Sequence, residues 1–216
     1  MRGQFITFEG TEGSGKSTQI KLLAERLRDL GHPVRLLREP GGTPIGEEIR
    51  HTLQHSHQNQ AMTPEAELLL INASRAQLVR EVIRPALAAG QWVLCDRFYD
   101  STVAYQGYGR GLDLDRVRAV IDFSVGETKP DLTLLLMIPL AVSEERREAR
   151  VAVEGAVRDR MEEAGRSFFE RVEEGYRRLA KADRRRVRLI DATQEVDSVH
   201  RAIWQAVEPL TQSRPR

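Results

Sequence analysis

Gly10-Thr11-Glu12-Gly13-Ser14-Gly15-Lys16-Ser17, with Thr18 next, is the stretch of this chain best suited to chemistry. Four residues separate Gly10 from Gly15, and Lys16 and Ser17 follow, which is the pattern of a phosphate-binding loop. Glycines let successive backbone N–H groups turn inward as one concave anion nest. A helix opening at Lys16 adds its positive end. The lysine ammonium can reach the β- and γ-phosphates of a nucleoside triphosphate, and the Ser17 hydroxyl can ligate Mg²⁺. Glu12 is the anomaly, because a carboxylate beside polyphosphate is unfavourable unless it serves another group. A second substrate with a hydroxyl to be held supplies that reason.

A loop of this kind needs a strand before it and a helix after it. Residues 4–9 are short and apolar and read as a buried strand. Residues 16–30 have helical spacing, with Ile20, Leu23 and Leu27 on one face and Gly31 as the stop. Further strands are expected at 34–37, 92–95, 132–137 and 187–190. A long helix is expected over 64–89, kinked or ended by Pro85, and a closing helix over 196–210. Residues 38–43, REPGGT, read as a loop, and 151–165 look loop-like between two charged helices. Alternating strands and helices imply an α/β fold with a parallel sheet covered on both faces.

The chain has 216 residues, 40% hydrophobic and 30% charged, with a formal charge of +1. One compact domain spanning 1–216 is expected, and disorder is not. The near-neutral balance argues against a nucleic-acid coat. The single cysteine, Cys95, fits a reducing, cytoplasmic setting, and no apolar run is long enough to span a membrane. No targeting segment is expected ahead of the first strand. Cys95, Trp92 and Trp204 read as core or interface residues. His51, His55 and His57, and Arg184–Arg185–Arg186, read as solvated surface.

Nucleotide binding alone leaves a switch and a transferase open. Thr128-Lys129-Pro130-Asp131 has the letters of a guanine-reading motif, but it precedes its strand, at the end away from where ligands bind. No D-x-x-G accompanies it.

Four further segments narrow the choice: REPGGT at 38–43, Arg75 on the long helix, DRFYDSTVAYQG at 96–107 and IDAT at 190–193. With the opening loop, they resemble the thymidylate kinase family from about residue 4 to 210. That resemblance implies a P-loop NTPase-type five-stranded parallel sheet wrapped by helices, with a short lid at about 146–165, and a homodimer. It implies ATP and dTMP as substrates and Mg²⁺ as the metal. ATP is expected on Gly10, Glu12, Gly13, Ser14, Gly15, Lys16, Ser17 and Thr18, with adenine near Ala192 and Thr193. Mg²⁺ is expected at Ser17 and Asp96. Acceptor contacts are expected from Glu12 to the 3′-hydroxyl, from Arg38 and Arg97 to phosphate, and from Arg75 to O4 of thymine. Gln106 is expected at N3, Tyr105 at C2′, and Pro40 (expected as a cis proline) and Ser101 around the base. Catalysis is assigned to Lys16, Asp96, Arg97 and the lid arginines Arg150, Arg158 and Arg160, while Arg146 and Arg147 read as solvated helix face. Ile71 stands where the family usually has a stacking aromatic. A kinase for another small acceptor, such as UMP, stays open beside these.

Overall fold

The computed structural model describes residues 2–56, 59–154, 160–161 and 164–212. Five strands, β1 (Phe5–Glu9), β2 (Val34–Arg38), β3 (Trp92–Asp96), β4 (Leu132–Met137) and β5 (Val187–Asp191), form one sheet in the order β2-β3-β1-β4-β5. All four pairings are parallel. β1 is central and wholly buried. Phe8 pairs with Asp96 and Glu9 with Leu135, so β1, β3 and β4 end together at one edge of the sheet. That shared edge, where the strand order reverses around β1, is where an open α/β sheet forms its crevice.

The period-two alternation of the strands separates the two cores. Ile6, Phe8, Leu94, Leu134 and Leu136 face α1 (Lys16–Asp29) and α9 (Val196–Gln212), where Leu23, Leu27, Ile203 and Trp204 meet them. Phe5, Val93 and Cys95 face the other way, onto Leu78, Val79, Val117 and Ile121. Fully burying each such Leu, Ile or Phe contributes roughly 1.5–3 kcal/mol. The second layer holds α3 (Pro64–Leu78), α4 (Arg84–Ala88) and α6 (Leu114–Val125). Thr63 caps α3 by accepting from the Ala66 N–H, and Pro64 follows at the first helical position.

The expected long helix over 64–89 is three pieces. α3 passes through a π-helical turn, Val79–Ile83, into α4. Pro85 lacks an N–H and cannot continue an i→i−4 ladder, and the widened turn just before it absorbs that break. A second π-helical stretch, Val103–Gly109, extends α5 (Tyr99–Thr102) and carries Tyr105 and Gln106. α2 (Pro44–Gln54), α5 and α6 had no individual sequence expectation. α7 (Leu140–Glu154) and α8 (Arg166–Ala182) complete the chain. The stretch expected as loop-like over 151–165 is helical through 154.

Candidate active site

The opening loop joins β1 to α1 as its spacing requires. Gly10, Gly13 and Gly15 all have positive φ. At Gly10 a Cβ would stand 2.2 Å from the Leu136 carbonyl oxygen, so the close approach to β4 admits only glycine. Lys16 folds back over the loop, and its Nζ donates to the Gly10 and Thr11 carbonyls at 3.0 and 2.9 Å. Burial, with Arg97 nearby, pushes this ammonium down to about 8. The Ser17 hydroxyl donates to Asp96 Oδ2 at 3.2 Å.

α7 braces the loop from outside. The Ser143 hydroxyl donates to the Glu12 carbonyl at 2.7 Å, and Arg146 Nη1 donates to the Gly13 carbonyl at 3.0 Å and the Ala192 carbonyl at 3.5 Å. The reading of Arg146 and Arg147 as a solvated helix face is therefore corrected. Arg147 is buried, with its guanidinium 4.4 Å from the Phe169 ring centroid. Charged letters on a helix say nothing of which face meets a neighbour.

Opposite the loop stands Arg97, at φ 70, an uncommon conformation for a residue with a side chain. The turn aims its guanidinium back across the sheet edge. Nη2 donates to Glu12 Oε1 at 2.6 Å and to the Tyr105 hydroxyl at 3.3 Å, and Nη1 donates to the Ser101 hydroxyl at 3.0 Å. Tyr105 donates to Glu12 Oε2 at 2.8 Å. Burial pushes the Glu12 carboxyl up, but Arg97 and Lys16 outweigh it and hold the group below its ordinary value.

A second buried carboxylate lies beneath. Glu9 accepts from the Phe98 N–H at 2.8 Å and from the Ser101 hydroxyl. The Tyr176 hydroxyl of α8 reaches it at 3.4 Å. Burial, then the charge of Asp100, pushes Glu9 up to about 8. Asp100 is gripped in turn by both terminal nitrogens of Arg186, at 2.6 and 2.9 Å. Arg186 thus departs from the solvated turn expected for the arginine run: it is a half-buried partner of a buried acid.

Arg75 is almost wholly enclosed. Its Nε and Nη2 meet Glu39 Oε2 at 2.8 and 2.6 Å, its Nη1 donates to Asn72 at 3.0 Å, and the two charged side chains are 1% and 3% exposed. The Glu39–Pro40 peptide is cis. Arg38 reaches the Pro40 carbonyl at 3.1 Å and Glu47 at 2.9 Å.

One cavity of about 420 Å³ joins these groups. It is lined by Glu12, Gly13, Gly15, Lys16, Ser17 and Thr18 on one side, and by Arg38, Pro40, Ile71, Arg75, Ser101, Tyr105 and Gln106 on the other. Asp96 and Arg97 stand between. A polyanion cradle and a second, partly apolar compartment thus share one space, with an arginine at the junction.

The thymidylate kinase family model matches residues 8–203. A thymidylate kinase of Syntrophotalea carbinolica is 48% identical over 201 residues, covering 93% of each chain. One of Pseudomonas putida is 49% identical over 199 residues, covering 92% of this chain and 93% of the relative. A crystal structure of thymidylate kinase from Ehrlichia chaffeensis superposes with a TM-score of 0.76 at 32% identity, over 96% of this chain and 99% of that one. The chain belongs to the thymidylate kinase family. Its five-stranded parallel sheet with surrounding helices matches that structure.

Not every residue singled out by the family resemblance reaches the cavity. Ala192 and Thr193 are outside its lining among the described residues. Thr193 donates through its N–H and hydroxyl to Asp191 at 3.0 and 2.6 Å, and Arg146 links the Ala192 carbonyl to the cradle. Arg160, expected at the phosphates, instead donates to Glu67 and lies against Met62 Sδ at 3.6 Å. Arg158 and the side chain of Arg150 lie outside the described residues. Thr128 of the guanine-like motif accepts from Arg84 at 2.8 Å, at the amino end of β4 and far from the cavity.

Sequence reasoning missed Glu9, Glu39, Glu67, Asp100 and Tyr176. Each is separated in sequence from the arginine or hydroxyl it serves, and no local spacing announces it. Among the described residues, no helix is long and apolar enough to cross a membrane.

Proposed function

We propose that the chain transfers the γ-phosphoryl group of ATP to the 5′-phosphate of dTMP, giving ADP and dTDP. The observation that carries this reading is the single cavity in which the phosphate cradle and the Arg97–Arg75 wall face each other. Family membership supports the choice of substrates.

The acceptor phosphate has a second pKa near 6, so its attacking oxygen is already ionised at neutral pH and needs no strong base. The obstacle is repulsion between two anions, and catalysis is then positioning and charge stabilisation. Lys16 holds the β- and γ-phosphates on the loop, leaving the carbonyls it now contacts. Arg97, fixed by Glu12, Ser101 and Tyr105, presents its guanidinium to the acceptor phosphate, and Arg38 stands ready from the cavity's far side. Ser17 and Asp96 put two hard oxygen donors within 3.2 Å of each other beside the cradle, which suits Mg²⁺. A divalent ion held by Ser17 and Asp96 would supply positive charge against the polyphosphate.

In the acceptor compartment, Arg75 donates to O4 of thymine and Gln106 meets N3. Cytosine carries an amino donor where thymine has O4, so it leaves donors facing donors. Glu12 keeps lone pairs free beside Arg97 and Tyr105, enough to accept from a 3′-hydroxyl. Tyr105 crowds C2′, and Ile71 covers the base by apolar contact. Arg150 and Arg158 are assigned to water exclusion on the family likeness alone, and Arg146 braces the phosphate loop on the donor side. On the family likeness the enzyme is a cytoplasmic homodimer. Exposed Leu69 on α3 and Phe123 on α6 supply apolar surface for such a contact, and light scattering on the purified chain tests it.

ADP formation measured across dTMP, dUMP, dCMP, UMP and AMP tests the reaction. Rapid turnover with dTMP, slower with dUMP, and little with dCMP or AMP is expected. Faster turnover with dCMP or AMP than with dTMP contradicts it.

A further inference from the structure

Gln106 lines the cavity, yet one half of its amide is already committed: Nε2 donates to Glu67 Oε1 at 2.7 Å. A carboxylate only accepts, so the amide nitrogen must be the atom that faces it. The amide's carbonyl Oε1 has no protein partner among the described residues and is the acceptor left for a ligand.

Glu67 is well fixed for this task. It lies on α3 with its side chain fully buried. Its two oxygens also accept from Arg110 Nε and Nη2, at 3.2 and 3.0 Å, and from Arg160. Burial pushes this carboxyl up, but the hydrogen bonds from Arg110 and Gln106 outweigh it and hold the group below its ordinary value. Glu67 is not among the residues lining the cavity.

We propose that Glu67 is a positioning residue for pyrimidine choice, locking the Gln106 amide with its carbonyl oxygen toward the bound base. This rests on the dTMP reading above. A thymine or uracil edge offers N3–H to that oxygen, whereas cytosine N3 is an acceptor and meets it acceptor to acceptor. A residue with no substrate contact of its own thus adds to the discrimination that Arg75 makes at O4. The same carboxylate holds Arg160, so Arg160 and the base-reading amide share one anchor.

The test is kcat/KM for dTMP and dCMP in the full-length enzyme and in Glu67→Gln. An amide at position 67 can donate or accept, so the Gln106 amide is free to turn over. The dTMP-to-dCMP ratio is expected to fall at least about tenfold, while kcat with dTMP stays within about threefold. A merely structural role lowers both substrates together and leaves the ratio unchanged. The exchange variant Glu67→Gln/Gln106→Glu keeps one carboxylate among Arg110 and Arg160 and restores an acceptor toward the base. Its ratio is expected within about threefold of the parent enzyme, and it decides the question if the single variant does not fold. A folded Glu67→Gln with the parent ratio overturns the proposal, as does an exchange variant that prefers dCMP. A parent enzyme inactive on dTMP overturns instead the functional reading beneath it.

Discussion

The two sides of the cavity are built by different means. The donor cradle is backbone: three glycines at positive φ, a helix start, and a lysine folded over carbonyls contributed by its own loop. The acceptor wall is side chains: Arg97 on Glu12, Arg75 on Glu39, Gln106 and Arg110 on Glu67, each pair joining distant parts of the chain. A backbone site asks little of the rest of the protein. A wall of buried ion pairs makes the geometry of the site a matter of the fold's stability as well, because removing one partner strands the other away from water.

Lys16→Ala and Arg97→Ala put that contrast to its hardest test. Each is expected to lower kcat by about 10²–10³-fold, the effect of losing one preorganised charge at a reacting phosphate. They should part in stability. Arg97→Ala takes away the nearest countercharge of Glu12, leaving it Tyr105 and Lys16, and is expected to cost about 3 kcal/mol in denaturant unfolding. Lys16→Ala removes a cation that burial already disfavours and is expected to leave stability nearly unchanged. Equal stability losses in the two variants break the comparison.

Arg75→Met isolates the wall from the chemistry. It strands Glu39 and is expected to cost about 3–5 kcal/mol, most of it recovered when Glu39→Gln is added. Thermal or urea unfolding of the two variants measures this. A double variant as unstable as the single one removes the ion-pair account of the wall.

Much of the cradle was legible in the sequence and much of the wall was not, for a physical reason. The phosphate loop is local: eight consecutive residues state the turn, the anion nest and the helix start. The strands that flank it also read correctly, because burial on both faces leaves continuous apolar runs. Arg75, Arg97, Tyr105 and Gln106 came from a family resemblance. Glu39 and Glu67, the partners of Arg75 and Gln106, did not, nor did Glu9 beneath Ser101, since only folding brings them within reach. Arg146 and Arg186 were misread for the same reason. The π-helical turn before Pro85 was only half legible, as a proline that must interrupt something.

Glu9 sharpens the contrast more gently. An acid whose value is raised in the fold contributes stability that is intact below its unfolded value, 4.5, and lost as pH climbs through about 8. Glu9→Gln removes that dependence. Melting curves from pH 5 to 8 are expected to show the variant gaining on the parent by on the order of 1–2 kcal/mol as pH rises. A variant that loses ground to the parent as pH rises contradicts a neutral Glu9. The smallest effect concerns Ile71, which is 7% exposed and lines the cavity. Ile71→Phe is expected to tighten dTMP by about 0.5–1.5 kcal/mol through ring stacking, read as Kd by calorimetry. Unchanged or weaker binding rejects stacking as the missing contribution.

The central claim is that one cavity brings a donor polyphosphate and a pyrimidine monophosphate together for direct transfer. ATP labelled at its γ-phosphorus tests it most directly when incubated with Mg²⁺ and the enzyme, with and without dTMP. The label is expected in dTDP, with little reaching inorganic phosphate in either sample. Label released as inorganic phosphate at the same rate whether or not dTMP is present would contradict it.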